Sequence, residues 1–278
     1  MADDGLRQAL EAIPAAVRAQ AEEPLVVSPD PPPESGARRI ALDRCVVFTS
    51  PMPTVTFVEG IRARADEVEE LVAEVRELLR GLGRSQAAWT IGPSTRPTDL
   101  EATLRDRGFV DYEEAPLEPI ATSMALMHEP PPPRDPAIGI EPVVTIEQLR
   151  TAKDVEVSAL GLGTRDAAAL TANLDALLEL QRSGRSLLRQ TLATLDGEPV
   201  GVGRAMLLEH GINLSGAVVV PAARGRGVYR ALVAARWHEA VARGTPALTV
   251  QAGRMSQPIL ARLGFVEVAV SVLLLDRF

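Results

Sequence analysis

Val218-Val219-Val220-Pro221-Ala222-Ala223-Arg224-Gly225-Arg226-Gly227-Val228-Tyr229-Arg230-Ala231-Leu232 is the stretch on which the reading of this chain turns. An apolar run ends at a proline, two glycines follow close behind, and a leucine-bearing helical pattern begins straight afterwards. That is the order strand, glycine turn, helix N-terminus. Glycine tolerates the left-handed backbone that lets successive N–H groups converge on one point. A helix starting there adds about half a positive charge from its dipole. Such a nest binds phosphate.

Toward the C-terminus, residues 229–242 place Leu232, Val233, Trp237, Ala240 and Val241 on one stripe, which stops at Gly244 and Pro246. Ala247-Leu248-Thr249-Val250 predicts a strand. Residues 256–263 predict a helix closed by Gly264, and residues 266–275 an apolar strand in one or two pieces.

This order resembles the GNAT N-acetyltransferase family from its fourth strand to its end. The family's acyl-coenzyme A pyrophosphate loop reads Gln/Arg-x-x-Gly-x-Gly/Ala; Arg224 and Gly227 match its first and fourth positions, whereas Tyr229 stands where the family has a small residue. The resemblance implies an α/β fold on a mixed sheet and acetyl-CoA as cosubstrate, with no metal. It implies a cofactor site of Val218, Val219, Val220, Arg224, Gly225, Arg226, Gly227, Val228 and Tyr229, with the main chain of Val218 and Val220 turned toward the pantetheine arm. It covers residues 140–278 as a domain. The implied reaction is direct transfer of an acetyl group to a primary amine within a ternary complex.

Upstream, two apolar stretches flank Asp196-Gly197, a strong hairpin signal. Residues 146–160 and 165–180 carry helical spacing, with Thr164 and Asp166 near the start of the second helix.

The first half echoes the second. Trp89-Thr90-Ile91, a turn, a helix through Leu104 and Gly108-Phe109-Val110 parallel Leu248-Thr249-Val250, a helix through Leu263 and Gly264-Phe265-Val266. An amphipathic helix over residues 65–82 precedes the first copy as residues 229–242 precede the second. Duplication explains this economically. No glycine nest stands before the first helix, where Glu59-Gly60-Ile61-Arg62-Ala63 is the nearest thing to one. The expected organisation is therefore two GNAT-like domains, the N-terminal one degenerate and not binding CoA. The boundaries fall at residues 1–129, a proline-rich linker at 130–137 and a CoA-binding domain at 138–278, which is expected to bind the cofactor on its own. A second proline cluster at 29–33 sets off an N-terminal helix over residues 6–21.

Composition, at 46% apolar and 24% charged, is that of a folded chain, and no apolar run is long enough to span a bilayer. No signal peptide is legible, so a cytoplasmic location is expected. A single cysteine excludes an internal disulfide, and the three histidines are scattered. A net charge of −8 argues against a nucleic-acid partner and mildly favours a cationic substrate. The expected partner is a small-molecule or peptide amine, and a homodimer is compatible with the sequence.

The chemistry asks for proton transfers. An alkylammonium must lose a proton at a cost of roughly 4 kcal/mol at neutral pH. Residues 213–220 hold no carboxylate, although many GNAT relatives carry a glutamate there; Glu209 and His210 stand at the preceding turn. Many relatives also protonate the leaving thiolate with a tyrosine four residues before the Gly-Phe glycine, and here that position is Leu260. Ser256 and Tyr229 are the remaining hydroxyl candidates, Ser256 also reading as a helix N-cap. The alternative is a non-catalytic acyl-CoA sensor or assembly module.

Overall fold

The computed structural model describes residues 8–51, 55–113, 118–161, 167–168, 171–186 and 188–278. Its strands are β1 (Arg38–Ala41), β2 (Val46–Thr49), β3 (Thr56–Glu59), β4 (Gln86–Ile91), β5 (Val110–Asp111), β6 (Ile120–Leu126), β7 (Ile138–Pro142), β8 (Leu188–Leu195), β9 (Glu198–Leu208), β10 (Gly211–Val219), β11 (Leu248–Ala252) and β12 (Val266–Arg277). The helices are α1 (Ala15–Glu22), α2 (Pro24–Val27), α3 (Val68–Gly81), α4 (Leu100–Arg105), α5 (Ile146–Leu160), α6 (Leu174–Arg182), α7 (Val228–Ala242) and α8 (Gln257–Arg262).

Local chemistry sets several of these bounds. Asp196 and Gly197, at φ 54° and 86°, make the tight turn between β8 and β9. Thr145 and Gln148 close a reciprocal capping box at the start of α5, and Gly161 at φ 61° ends it. The second expected helix is split: residues 167, 168 and 171 are helical, Asn173 takes φ 57° and breaks the run, and α6 begins at Leu174; Thr164 and Asp166 lie outside the described residues. Pro14 likewise splits the N-terminal helix into a turn at 8–11 and α1.

All strands join one mixed sheet in the order β1-β2-β3-β4-β12-β6-β11-β10-β9-β8-β7, with β5 pairing β12 beside this path. Only β3 with β4 and β10 with β11 run parallel. The two halves exchange their final strands. β12, from the C-terminus, lies antiparallel to β4, and β6, from the first half, lies antiparallel to β11. Each exchanged strand completes the other half's core. Leu274 of β12 is fully buried with Trp89, Leu104 and Phe109, while Met124 and Leu126 of β6 pack with Trp237, Leu260 and Phe265. Burial of one such leucine contributes about 2 kcal/mol. Asp276, buried near the end of β12, takes a forked ion pair from Arg76 of α3, with Nη2 to Oδ1 at 2.6 Å and Nε to Oδ2 at 3.0 Å.

The duplication is visible in the helix ends. Phe109 N–H bonds Leu104 O at 3.2 Å and Phe265 N–H bonds Leu260 O at 3.1 Å. Gly108 and Gly264 supply the left-handed residue at φ 88° and 96°. These are one and the same C-cap, written twice.

α1 lies across β10, β11, β6 and β12, whereas α5 lies over β8, β9 and β10. Gln20 Nε2 donates to Thr249 Oγ1 at 3.2 Å, and Glu22 accepts from Ser94 N–H at 2.7 Å, so α1 and its end touch both halves. At the end of β3, the buried Glu59 carboxyl accepts Leu25 N–H of α2 at 2.8 Å.

Two outcomes are expected. A fragment starting at residue 138 lacks β6, leaving β11 and β12 without the strand between them, which corrects the expectation of a self-sufficient second half. It should be insoluble or unfolded by circular dichroism, and co-expression with residues 1–137 should restore it. The second concerns pH. Burial pushes the Glu59 carboxyl up to about 8 from an ordinary 4.5. The folded state therefore keeps a proton that the unfolded chain loses, and stability falls as pH rises from about 4.5 to about 8. Glu59→Gln removes this loss, so urea unfolding should show the variant gaining about 3 kcal/mol on wild type between pH 4.5 and pH 7.

Candidate functional site

Beyond β10 the chain makes a single 3-10 turn at Pro221–Ala223 and then the loop 224–227, which delivers it into α7. Gly225 and Gly227 stand at φ 79° and 93°. A Cβ on Gly225 would meet no atom within 4 Å, and one on Gly227 only Ile138 Cδ1 at 3.9 Å. The space in front of both glycines is open. Gly227 occupies the N-cap of α7 and offers no side chain to it, and the first turn holds no acidic residue. The first helical bond is Ala231 N–H to Gly227 O at 3.1 Å, so the N–H groups of Val228, Tyr229 and Arg230 face outward without an acceptor among the described residues. Arg224 braces the loop through Nε to Val219 O at 3.1 Å, and Arg226 pairs with Asp135 of the proline linker at 3.1 Å.

The strands leading here diverge. β10 and β11 pair only at Ile212 with Leu248 and Asn213 with Thr249, after which β10 follows β9 alone. A bulge between Leu214 and Gly216 places Ser215 as the extra residue. Val220 N–H bonds Val200 O at 2.9 Å, which fixes the alternation of the ladder. The main chains of Val218 and Val220 therefore serve β9, and those of Ala217 and Val219 face the opening. This corrects the expectation for Val218 and Val220, whose side chains instead pack under α5 and α6. A wedge between two parallel strands, ending at uncapped helix N–H groups and flanked by Arg224, Arg226 and Arg230, fits a long thiol arm with a pyrophosphate at its end.

The equivalent place in the first half is chemically opposite. β3 and β4 also pair at only two positions, but an Arg62–Arg96 bridge then keeps the chain closed. The helix that follows is preceded by Asp66 and Glu67, with Glu69 and Glu70 in its own first turn. Glu67 Oε2 accepts Arg64 N–H at 2.8 Å, so a carboxylate already occupies this helix start.

Residues 179–273 match the acetyltransferase (GNAT) domain family. The structure is similar over nearly its whole length to a GCN5-related N-acetyltransferase from Kribbella flavida, at 16% identity and TM-score 0.65, covering 95% of this chain and 96% of that one. It is also similar to a tandem GNAT protein from the clavulanic acid biosynthesis pathway, solved without AcCoA, at 17% identity and TM-score 0.58 over 99% and 95% of the two chains. The chain has the tandem GNAT fold. A third similar structure, a GCN5-related N-acetyltransferase from Sphaerobacter thermophilus, shares 17% identity at TM-score 0.60, over 85% of this chain and 82% of that one. No curated protein matches the sequence.

Within this tandem GNAT fold the four acid-base candidates separate. Glu209 and His210 lie at the start of β10, the end remote from the loop, roughly 26 Å away by strand rise; His210 N–H is taken by Gln20 Oε1 at 3.2 Å. Ser256 stands at the N-cap of α8 but makes no side-chain cap, its hydroxyl donating to Gly253 O at 3.2 Å. Leu260 is wholly buried, the counterpart of Leu104 in the first half. Tyr229 alone joins the cluster that contains both Leu214, beside the bulge, and Leu260. Burial pushes its phenol up to about 12, so it stays protonated at neutral pH. Its ring lies under the helix and leaves its own N–H free for the nest.

On the face away from α7, α5 and α1 both contact β10. Beside the bulge sits a charged group that sequence reasoning missed. Lys153 Nζ donates to Glu156 Oε2 at 2.9 Å, and Arg204 Nε lies 3.4 Å from Glu156 Oε1. Burial lowers the pKa of Lys153, while Glu156 works against that. The available signal was that Lys153 is the chain's single lysine. Among the described residues no histidine, cysteine or carboxylate group is arranged to hold a metal, and no helix is long and apolar enough to cross a membrane.

Replacing Gly225 and Gly227 together by valine fills the open space in front of the nest, at a backbone strain of roughly 1–2 kcal/mol each. Calorimetry should show CoA affinity falling more than a hundredfold while circular dichroism reports a folded protein. An unchanged affinity would remove the nest from the site.

Proposed function

We propose that this protein transfers the acetyl group of acetyl-CoA to a primary amine by direct attack in a ternary complex. The observation that carries the reading is the wedge between β10 and β11 opening onto the uncapped start of α7. The N–H groups of Gly227, Val228, Tyr229 and Arg230 would hold the pyrophosphate, and the main chains of Ala217 and Val219 the pantetheine arm. The family supplies acyl transfer in general, and the similar structures from Kribbella flavida and Sphaerobacter thermophilus are GCN5-related N-acetyltransferases. The contrast at the start of α3 supports one cofactor per chain.

The bound thioester supplies an activated carbonyl; the protein supplies position. Holding amine and thioester together lowers the barrier by several kcal/mol without any dedicated base. The departing sulfur needs a proton, and Tyr229 is the hydroxyl best placed to give it. This phenol takes over the part that Leu260 cannot play. The non-catalytic alternative rests on Tyr229 beside the loop and Leu260 in α8; a phenol at 229 able to serve the sulfur favours the catalytic reading. A cytoplasmic location and an amine partner, small molecule or peptide, belong to the same reading.

Turnover measured by thiol release should stay within about tenfold of wild type, roughly 1.4 kcal/mol of barrier, in Ser256→Ala, His210→Ala and Glu209→Gln. Tyr229→Phe should lose more than tenfold with unchanged CoA affinity. A large loss in one of the first three, with Tyr229→Phe unaffected, would reassign the proton donor.

A further inference from the structure

Arg204 of β9 is paired in register with Gly216, next to the bulge. Gly216 has φ 136°, and a Cβ there would stand 3.3 Å from Arg204 Nη2 and 3.7 Å from Nε. The absence of a side chain at 216 lets the guanidinium lie against the bulge itself. On its other side stands Glu156, which is 1% exposed and must serve Lys153, 6% exposed, as well as Arg204, 26% exposed. Two cations share one carboxylate. The Lys153–Glu156 pair closes on itself through its 2.9 Å hydrogen bond, so the uncompensated charge is that of Arg204. Its two Nη groups donate no hydrogen bond among the described residues, and Glu156 Oε1, fully buried, has no hydrogen-bond partner either. A partly exposed guanidinium left with open donors is a fork shaped for a carboxylate.

We infer that the acceptor is an α-amino carboxylate, gripped by Arg204 through its carboxylate while its amine faces the bulge. This rests on the acetyltransferase reading above. Arg204 and the bulge are neighbours, so amine and carboxylate must be close together on the substrate, as they are on one carbon of an amino acid. The net charge of −8 favours cations at long range, and a zwitterion satisfies both the distant field and the local fork. In the transfer, the ammonium first loses a proton. Its nitrogen then forms a C–N bond with the acetyl carbon as the C–S bond breaks. The nitrogen loses a second proton, the thiolate takes one up, and an N-acetyl amino acid, CoA thiol and one net proton result.

The test pairs L-amino acids with their own carboxamides: leucine with leucinamide, phenylalanine with phenylalaninamide, arginine with argininamide and glutamate with isoglutamine. Thiol release gives kcat/KM, and calorimetry gives binding of each compound to the CoA-saturated full chain. An amide's amine is less basic and more often neutral, so a preference for the acid runs against intrinsic reactivity. At least one acid should exceed its amide by tenfold or more in both readouts. Arg204→Met should bring that pair to within threefold while leaving acetyl-CoA affinity unchanged, and Arg204→Lys, which keeps the charge and loses the fork, should fall between. Equal use of acid and amide by wild type, or a preference that survives in both variants, overturns the inference. Acid-selective binding without any turnover would sustain the carboxylate site and overturn the transfer reading; neither binding nor turnover of any acid would overturn the carboxylate site.

Discussion

The pairing of β12 with β4 on one edge and β6 on the other is the constraint from which the rest of the molecule follows. Each half keeps its own helices, its own parallel strand pair and its own Gly-Phe cap, yet neither keeps the strand that finishes its core. Leu274 belongs by sequence to the second half and by packing to the first. A continuous sheet results, and α1 crosses its middle where β11, β6 and β12 meet. β10 is contacted by α5, from the second half, and by this N-terminal helix.

Two helices begin at the same topological position and have opposite electrostatic fates. α7 starts after two left-handed glycines, with no carboxylate in its first turn and arginines around it. The N-terminal end of α3 is crowded with Asp66, Glu67, Glu69 and Glu70. A helix N-terminus carries a positive partial charge whichever residues surround it. In the second half that charge is left for an external anion, and in the first it is spent on internal ones. The duplicated scaffold thus carries one open helix start and one occupied by carboxylates, set apart by loop chemistry rather than by fold.

Where the decisive chemistry is local, the sequence is transparent. The glycine nest, α5 with its Thr145–Gln148 box and the Asp196-Gly197 hairpin each rest on residues within a few positions of one another, so they can be read without knowing the partners. The strand exchange cannot. The apolar pattern of residues 266–275 reads alike whichever strand lies beside it, because alternation names a face and not a neighbour. The bulge at Ser215 is equally silent, and by shifting the ladder by one residue it decided which valines turn their main chain to the cofactor wedge. Glu156 and Arg204 read as ordinary charges on a helix and a strand; only packing shows that a single buried carboxylate stands between two cations.

The exchange also orders events in time. During synthesis β6 is made long before β11, its neighbour in the sheet, and β4 must wait for β12, made almost two hundred residues later. The early half thus leaves the ribosome with an unpaired edge on β4 and a spare strand already in hand. For that interval it is exposed to pairing with another chain. It holds β6 ready until β11 and β12 are made.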